Sequence, residues 1–196
     1  MPSTRWESTR HRDRGAVAVE TAVVSMFLII LAFGIIESSF LFKDWLSVSA
    51  AARAGARMGA SQPRVANFAQ ASADQVTNAL SDTNSLSDLN PANLIAVWVY
   101  KTTAAGSRPV NCNSSSSCVP FTWDGTQLKL TTASAGNWLS TSQDACAGDS
   151  SRDSLGVYVS YTHISPLGFF PNSTISQSTV MWIEPWTGDV HCKPGA

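Results

Sequence analysis

An uncharged apolar run near the N-terminus limits what this chain can become. Residues 21–36, TAVVSMFLIILAFGII, carry no charged side chain, and residues 16–20 extend the run with a single carboxylate, Glu20. At about 1.5 Å per residue, a helix over 16–36 is roughly 32 Å long, enough to cross a hydrocarbon core of about 30 Å. The run therefore predicts a transmembrane helix rather than a buried helix of a soluble protein.

Positive charge lies mainly on the N-terminal side of this run. Four arginines precede it, whereas Lys43 and Arg53 are the basic residues that follow its end at close range. Because basic residues are retained on the cytoplasmic side of a membrane, this asymmetry predicts an N-terminus in the cytoplasm. Everything beyond about residue 40 is then expected to lie outside the membrane.

Helical character is expected to continue past the apolar run. Residues 37–60 contain no proline, and the first proline after Pro2 is Pro63. We therefore expect one helix from about residue 16 to residue 60, about 68 Å long. The predicted organisation is a basic cytoplasmic leader (1–15), a transmembrane helix (16–36), a helical stalk (37–62) and an extracytoplasmic head (63–196).

The head is predicted to have an α+β fold. Residues 64–81 place apolar side chains at helical spacing, which predicts a second helix after Pro63. Strands are expected from there on, because β-branched and aromatic residues alternate with polar ones. Helices followed by a series of strands indicate an antiparallel sheet. The predicted strands cover residues 94–101, 126–132, 155–164 and 178–185.

Four cysteines lie in the predicted extracytoplasmic part: Cys112, Cys118, Cys146 and Cys192. An even number in an oxidising compartment favours disulfides over free thiols. The sequence allows three connectivities. We favour Cys112 with Cys118 and Cys146 with Cys192. A zinc site is the alternative, but no C-x2-C pair supports it.

Small residues recur every four positions in the predicted stalk. Ala51, Gly55 and Gly59 would line one side of the helix. Such spacing lets two helix backbones approach closely, so this side could pack against another helix. We favour the other interpretation, in which this side packs under the chain's own sheet.

Several functional classes find no support in the sequence. Lys and Arg number 13 against 14 Asp and Glu, so the basic surplus typical of nucleic-acid-binding proteins is absent. The motifs G-x-S-x-G, H-E-x-x-H, G-x-G-x-x-G and the P-loop do not occur. The sequence therefore predicts no enzyme activity, no catalytic residue, no cofactor and no metal site.

The start of the apolar run carries a short motif, RGAVAVE at residues 14–20. It resembles prepilin-like proteins, which a peptidase cuts after glycine and which have glutamate at the fifth mature position. Here the cut would fall between Gly15 and Ala16 and would make Glu20 the fifth residue. The wider pattern resembles the TadE-like family of tight-adherence pilus proteins. The matching segments are RGAVAVE, GIIE at 34–37, AARAGAR at 51–57 and STVMWIEP at 178–185.

The resemblance implies a non-catalytic, membrane-anchored minor pilin, pseudopilin or pilus-assembly component with a pilin-like architecture. Its expected partners are the membrane, other pilus subunits or assembly proteins, and a prepilin peptidase. Glu20 would pair with the N-terminal amine of a neighbouring subunit. Glu37, about 26 Å further along the helix, is expected to be a solvated residue at the opposite interface.

A permanently anchored surface-binding module, such as an adhesin or a glycan binder, is the alternative function. It is motivated by the tryptophans of the head, among them Trp123, Trp138, Trp182 and Trp186. In either case the protein is expected in the cytoplasmic membrane as a single-pass protein with its head outside. In the first case it would also enter a surface pilus.

Overall fold

The chain divides into two compact units. The computed structural model describes residues 7–82, 89–103, 106–130, 138–147, 151–168, 170–186 and 192–193. The first unit, here called the N-terminal unit, comprises residues 1–40 together with 165–171. The second, the head unit, comprises residues 41–164 and 172–196.

The first helix, α1, runs from Glu7 to Ala60 and has 54 residues. Its length follows from the absence of proline between Pro2 and Pro63, because each residue can then supply its N–H to the helix. The predicted end near residue 60 is confirmed. The helix begins earlier than predicted and includes part of the basic leader. By length and composition, α1 can cross a bilayer.

The second helix, α2, runs from Phe68 to Leu80 and buries one apolar face. It begins four residues later than predicted because Arg64 adopts a left-handed backbone conformation with a φ of 57°. The Arg64 N–H and guanidinium donate to the side-chain and backbone oxygens of Gln143, each at 2.6 Å. These bonds hold the turn that separates the two helices.

Five antiparallel strands form one sheet in the order β3-β2-β1-β4-β5. Helices followed by an antiparallel sheet confirm the α+β prediction. The strands are β1 (Leu94–Lys101), β2 (Cys118–Trp123), β3 (Leu128–Leu130), β4 (Ser154–His163) and β5 (Ser173–Trp182).

Strand β3 lies within the predicted range 126–132, of which residues 131 and 132 lie outside the described part of the chain. Strands β2 and β5 differ more from the sequence prediction. Strand β2 was not predicted, because it contains Pro120 and proline is unfavourable inside a sheet. The proline is accommodated because β3 pairs only with residues 121–123, so Pro120 has β1 alone as its neighbour in the ladder. Strand β5 lies five residues earlier at its start than predicted and ends at Trp182, before Pro185.

The core lies between one face of the sheet and the two helices. Val97 and Val99 of β1 pair with Val159 and Val157 of β4, and all four side chains are fully buried. The helices cover them with small and branched side chains. From α1 these are Val48, Ala51, Ala52 and Ala56, and from α2 Phe68, Ala73, Val76 and Leu80.

The opposite face of the sheet holds a buried tyrosine. Tyr100 of β1 packs over Gly156 of β4 so closely that a Cβ at position 156 would overlap its ring. Burial raises the pKa of Tyr100 above the ordinary value, although a hydrogen bond with Ser178 and the charge of Arg108 oppose this. Burial also raises the pKa of Tyr161.

These two tyrosines predict a loss of stability in alkali. A tyrosine whose pKa is raised by folding favours the folded state while it is neutral. That contribution is complete below the unfolded pKa of about 10 and is lost as the pH rises through the folded pKa. We expect the free energy of unfolding, measured by denaturant titration of the full chain in detergent, to fall steeply above about pH 10.

The variant Tyr100→Phe separates this effect from general alkaline damage. Phenylalanine keeps the ring but cannot ionise, so the decline of stability with pH should be shallower than in the wild type. A decline of equal slope in the two proteins would contradict the role assigned to Tyr100.

Candidate functional site

The upstream part of α1 presents an apolar surface on all sides. Its large apolar side chains between Val17 and Ile36 are exposed by 38% to 67%. A helix that is apolar all round requires lipid or partner helices around it. This surface is therefore the first candidate for a functional contact.

Hydroxyl groups on this surface are satisfied within the helix. The Thr21 hydroxyl donates to the Val17 carbonyl oxygen at 2.8 Å, and the Ser25 hydroxyl to the Ala22 carbonyl oxygen at 2.9 Å. Groups that bond to their own helix lower the cost of a polar side chain in lipid.

Glu20 lacks such a partner. It is exposed on α1, one helical turn after Ala16, and both ends of the predicted cleavage bond, Gly15 and Ala16, are exposed as well. Among the side chains that the structure describes, the ion pairs are Lys101–Asp153 and Asp44–His163, and neither involves Glu20. The structure thus places Gly15, Ala16 and Glu20 on an exposed stretch of helix, where the Glu20 carboxylate has no ion-pair partner among the described side chains.

Glu37 has a different environment from the solvated one expected. It is 2% exposed, and the Ser165 hydroxyl donates a hydrogen bond to its Oε1 atom. Its Oε2 atom is buried without a hydrogen-bond partner. The expectation of a solvated residue was wrong, because Ser165 lies 128 positions away and no local pattern links the two.

A second acid on α1 is half-buried. Asp44 Oδ2 lies 2.6 Å from His163 Nδ1, at the end of β4, and the two side chains are 13% and 5% exposed. The Asn93 side-chain amide donates to the Tyr161 hydroxyl at 3.3 Å. The negative charge of Asp44 contributes to the raised pKa of the same tyrosine. This pair links α1 to the sheet and was not identified from the sequence.

Ala51, Gly55 and Gly59 lie inside the head unit. Ala51 is fully buried, and a Cβ at Gly55 would lie 2.5 Å from Val76 Cγ2 and 2.9 Å from the Ser72 carbonyl oxygen. The Ser72 hydroxyl donates to the Gly55 carbonyl oxygen at 2.8 Å. The chain's own α2 and sheet therefore occupy this side of α1, which corresponds to the intramolecular alternative.

The four cysteines form two disulfides within the head unit. Cys112 is bonded to Cys118 and Cys146 to Cys192, which are the pairs favoured from the sequence. The first closes a loop beside Tyr100. The second holds the C-terminal segment, where the Ala145 N–H donates to the Cys192 carbonyl oxygen at 2.9 Å.

A cavity of about 540 Å³ opens beside the ends of β1 and β5 in the head unit. Lys101 Nζ lies 2.6 Å from Asp153 Oδ1 in its wall, and the Arg152 guanidinium lies 5.8 Å from the centre of the Trp182 ring. Trp182 is 60% exposed, whereas Trp138 is buried in the core. Trp182, one of the tryptophans named from the sequence, thus lines this cavity.

Comparison with known proteins identifies the N-terminal segment. Residues 15–57, about a fifth of the chain, match the family model described as TadE-like protein. This match confirms the resemblance over that segment and indicates a membrane protein related to pilus assembly. No curated protein and no solved structure gives a significant match to the chain.

The close approach at Gly55 predicts a graded response to alanine. Gly55→Ala should destabilise the head unit by about 1–3 kcal/mol, because the new methyl group meets the Ser72 backbone. Gly59→Ala should cost less, because its nearest neighbour is a terminal atom of the Leu155 side chain, at 2.9 Å. Thermal unfolding followed by circular dichroism would measure both effects.

Gly34→Ala is the matched control on the same helix. A Cβ at Gly34 has nothing within 4 Å, and alanine favours a helix more than glycine does, so this variant should be at least as stable as the wild type. Equal stability of the Gly55 and Gly34 variants would show that the approach at Gly55 is not tight.

Proposed function

We propose that this chain, whose residues 15–57 are TadE-like, is a non-catalytic minor pilin or pilus-assembly component that acts through helix association. The observation that carries the proposal is Glu20, which lies one turn from Ala16 on an exposed apolar helix and has no ion-pair partner among the described side chains. Cleavage between Gly15 and Ala16 would create a free amine, which is the cation that such a carboxylate requires.

Electrostatics makes this pairing specific. An ionised side chain in the hydrocarbon region costs about 2–3 kcal/mol on insertion scales, and less near the interface. An ammonium group of a neighbouring subunit relieves this cost when the two α1 helices stand in one register. Glu20 would then act as a register-setting group in an assembly of parallel helices.

The charge distribution supports an orientation with the leader inside the cell. The arginines of residues 1–15 would remain in the cytoplasm, and residues 16–36 would cross the membrane. The head would then lie outside, where its two disulfides are stable. The proposed partners are the membrane, other pilus subunits or assembly proteins, and a prepilin peptidase.

The variant Glu20→Gln tests the proposal. Glutamine is close in shape to glutamate but carries no charge, so the attraction to a neighbouring amine is lost. We expect association with pilus subunits to weaken by about 2 kcal/mol, roughly thirty-fold, while membrane insertion is retained. Quantitative co-purification from native membranes after crosslinking would measure the loss.

Glu184→Gln is the matched control, because it removes an exposed carboxylate from the head unit. It should leave association unchanged. Mass spectrometry of the same material reads the mature N-terminus, for which we expect Ala16. Wild-type association by the Glu20 variant would refute the pairing, and an uncleaved chain would make this a fixed membrane component.

A second candidate function is recognition of a surface glycan by the head unit. The cavity beside Trp182 favours it, because its volume lies in the range of about 300–1,000 Å³ that is typical of small-ligand sites. The exposed indole offers an apolar face, and Lys101, Arg152 and Asp153 supply polar groups at its rim.

Trp182→Ala should weaken glycan binding strongly if this second function exists. Loss of a central tryptophan typically costs about 2 kcal/mol or more, which is roughly thirty-fold in affinity. A glycan array probed with the wild-type and variant chains would measure this. Trp186→Ala, an exposed tryptophan outside the cavity lining, should bind like the wild type. Absence of binding by the wild-type chain would eliminate this candidate.

A further inference from the structure

The loop between β4 and β5 carries apolar side chains that the head's own core does not use. Residues 165–171 read SPLGFFP and contain no charged residue. Leu167 and Phe170 are 40% and 52% exposed. Exposed large apolar groups gathered in one short loop indicate a contact surface.

A hydrogen-bond network holds this loop against α1. The Ser165 hydroxyl donates to Glu37 Oε1, and the Gly168 N–H donates to the Ser165 hydroxyl oxygen at 3.0 Å. The loop and residues 1–40 accordingly belong to the same compact unit. Glu37 is the only buried side chain between residues 15 and 40, so its burial depends on a segment from elsewhere in the chain.

The point of contact has a defined place along the helix. Glu37 directly follows Ile36, the last residue of the uncharged run. Ile35 and Ile36 are 59% and 43% exposed, so the apolar surface of α1 continues up to the residue that the loop contacts. The loop therefore lies at the level where the apolar run ends.

We propose that the described residues of this loop, 165–168 and 170–171, form a second membrane contact. Leu167 and Phe170 would enter the boundary between headgroups and acyl chains, in the leaflet that receives the C-terminal end of the apolar run. Apolar and aromatic side chains bind at this depth, where their rings leave water while the backbone stays near the headgroups. The inference rests on the proposed function in one respect, namely that α1 spans a bilayer.

The same arrangement explains the position of Glu37. A carboxylate at the end of a membrane span would otherwise face headgroups or lipid directly. Ser165 supplies a hydrogen-bond donor to it and brings the apolar loop with it. Ser165 of the loop would thus cover the Glu37 carboxylate, while Leu167 and Phe170 of the same loop would contact lipid.

Spin labelling of the full chain tests this contact. All four native cysteines are in disulfides, so a single introduced cysteine is the only reactive thiol under non-reducing conditions. The test variants are Leu167→Cys and Phe170→Cys, each labelled with a nitroxide. The protein is reconstituted in vesicles of equal parts phosphatidylethanolamine and phosphatidylglycerol. Power saturation then compares collision with oxygen, which enters lipid, and with a nickel chelate, which stays in water.

Two further single-cysteine variants provide the reference environments. Ile29→Cys labels the centre of the apolar run, and Val110→Cys labels a head residue that is 98% exposed. We expect labels at 167 and 170 to favour oxygen over the nickel chelate, as the label at 29 does. The label at 110 should show the opposite preference.

The outcomes separate this inference from the proposed function. Labels at 167 and 170 that behave like the one at 110 overturn the loop contact alone. Labels shielded from both reagents also overturn it, because they indicate a protein partner on the loop instead of lipid. If the label at 29 behaves like the one at 110, the membrane span itself fails, and the loop contact fails with it.

Discussion

The head unit depends on the close approach of α1 and α2 at Gly55. The Ser72 hydroxyl donates to the Gly55 carbonyl oxygen at 2.8 Å, and no space remains there for a side chain on α1. Because the two helices meet so closely, both can cover the same face of the sheet. Gly59 extends the contact to Leu155 of β4, so the helix layer and the sheet share one core. A larger residue at Gly55 would separate these layers.

Nearer its N-terminus, the same helix exposes its apolar side chains instead of packing them against the chain's own core. Between Val17 and Ile36 its apolar side chains are exposed, and its hydroxyl groups bond to their own backbone. Glu20 and Glu37, at the two ends of this stretch, have different environments. Glu37 receives a hydrogen bond from Ser165 of the same chain, whereas Glu20 is exposed and has no ion-pair partner among the described side chains. A carboxylate in lipid is costly, and this cost is the basis for the proposal that Glu20 pairs with a neighbouring subunit.

Sequence patterns predicted those helices and strands in which buried and exposed side chains follow each other at regular intervals. The alternation of Val157 and Val159 placed β4, because one face of that strand is fully buried. The pattern failed for the start of β5 and for β2. Edge strand β5 begins with polar residues that show no clear alternation. Strand β2 contains Pro120, which is unfavourable inside a sheet and argues against a strand at that position. For the candidate site, the motif around Glu20 was identifiable because its residues are adjacent in sequence. The cavity beside Trp182 was not, because its lining comes from separate parts of the chain.

The sequence by itself determined a long N-terminal helix with an apolar stretch long enough to cross a bilayer. Composition and the absence of proline are local properties, and helix formation depends on them directly. Tertiary structure alone decided which side of that helix is covered and by what. Ser165 contacts Glu37 across 128 positions, and His163 contacts Asp44 across 119. Such contacts form when the sheet and helices pack, so no local sequence pattern predicts them.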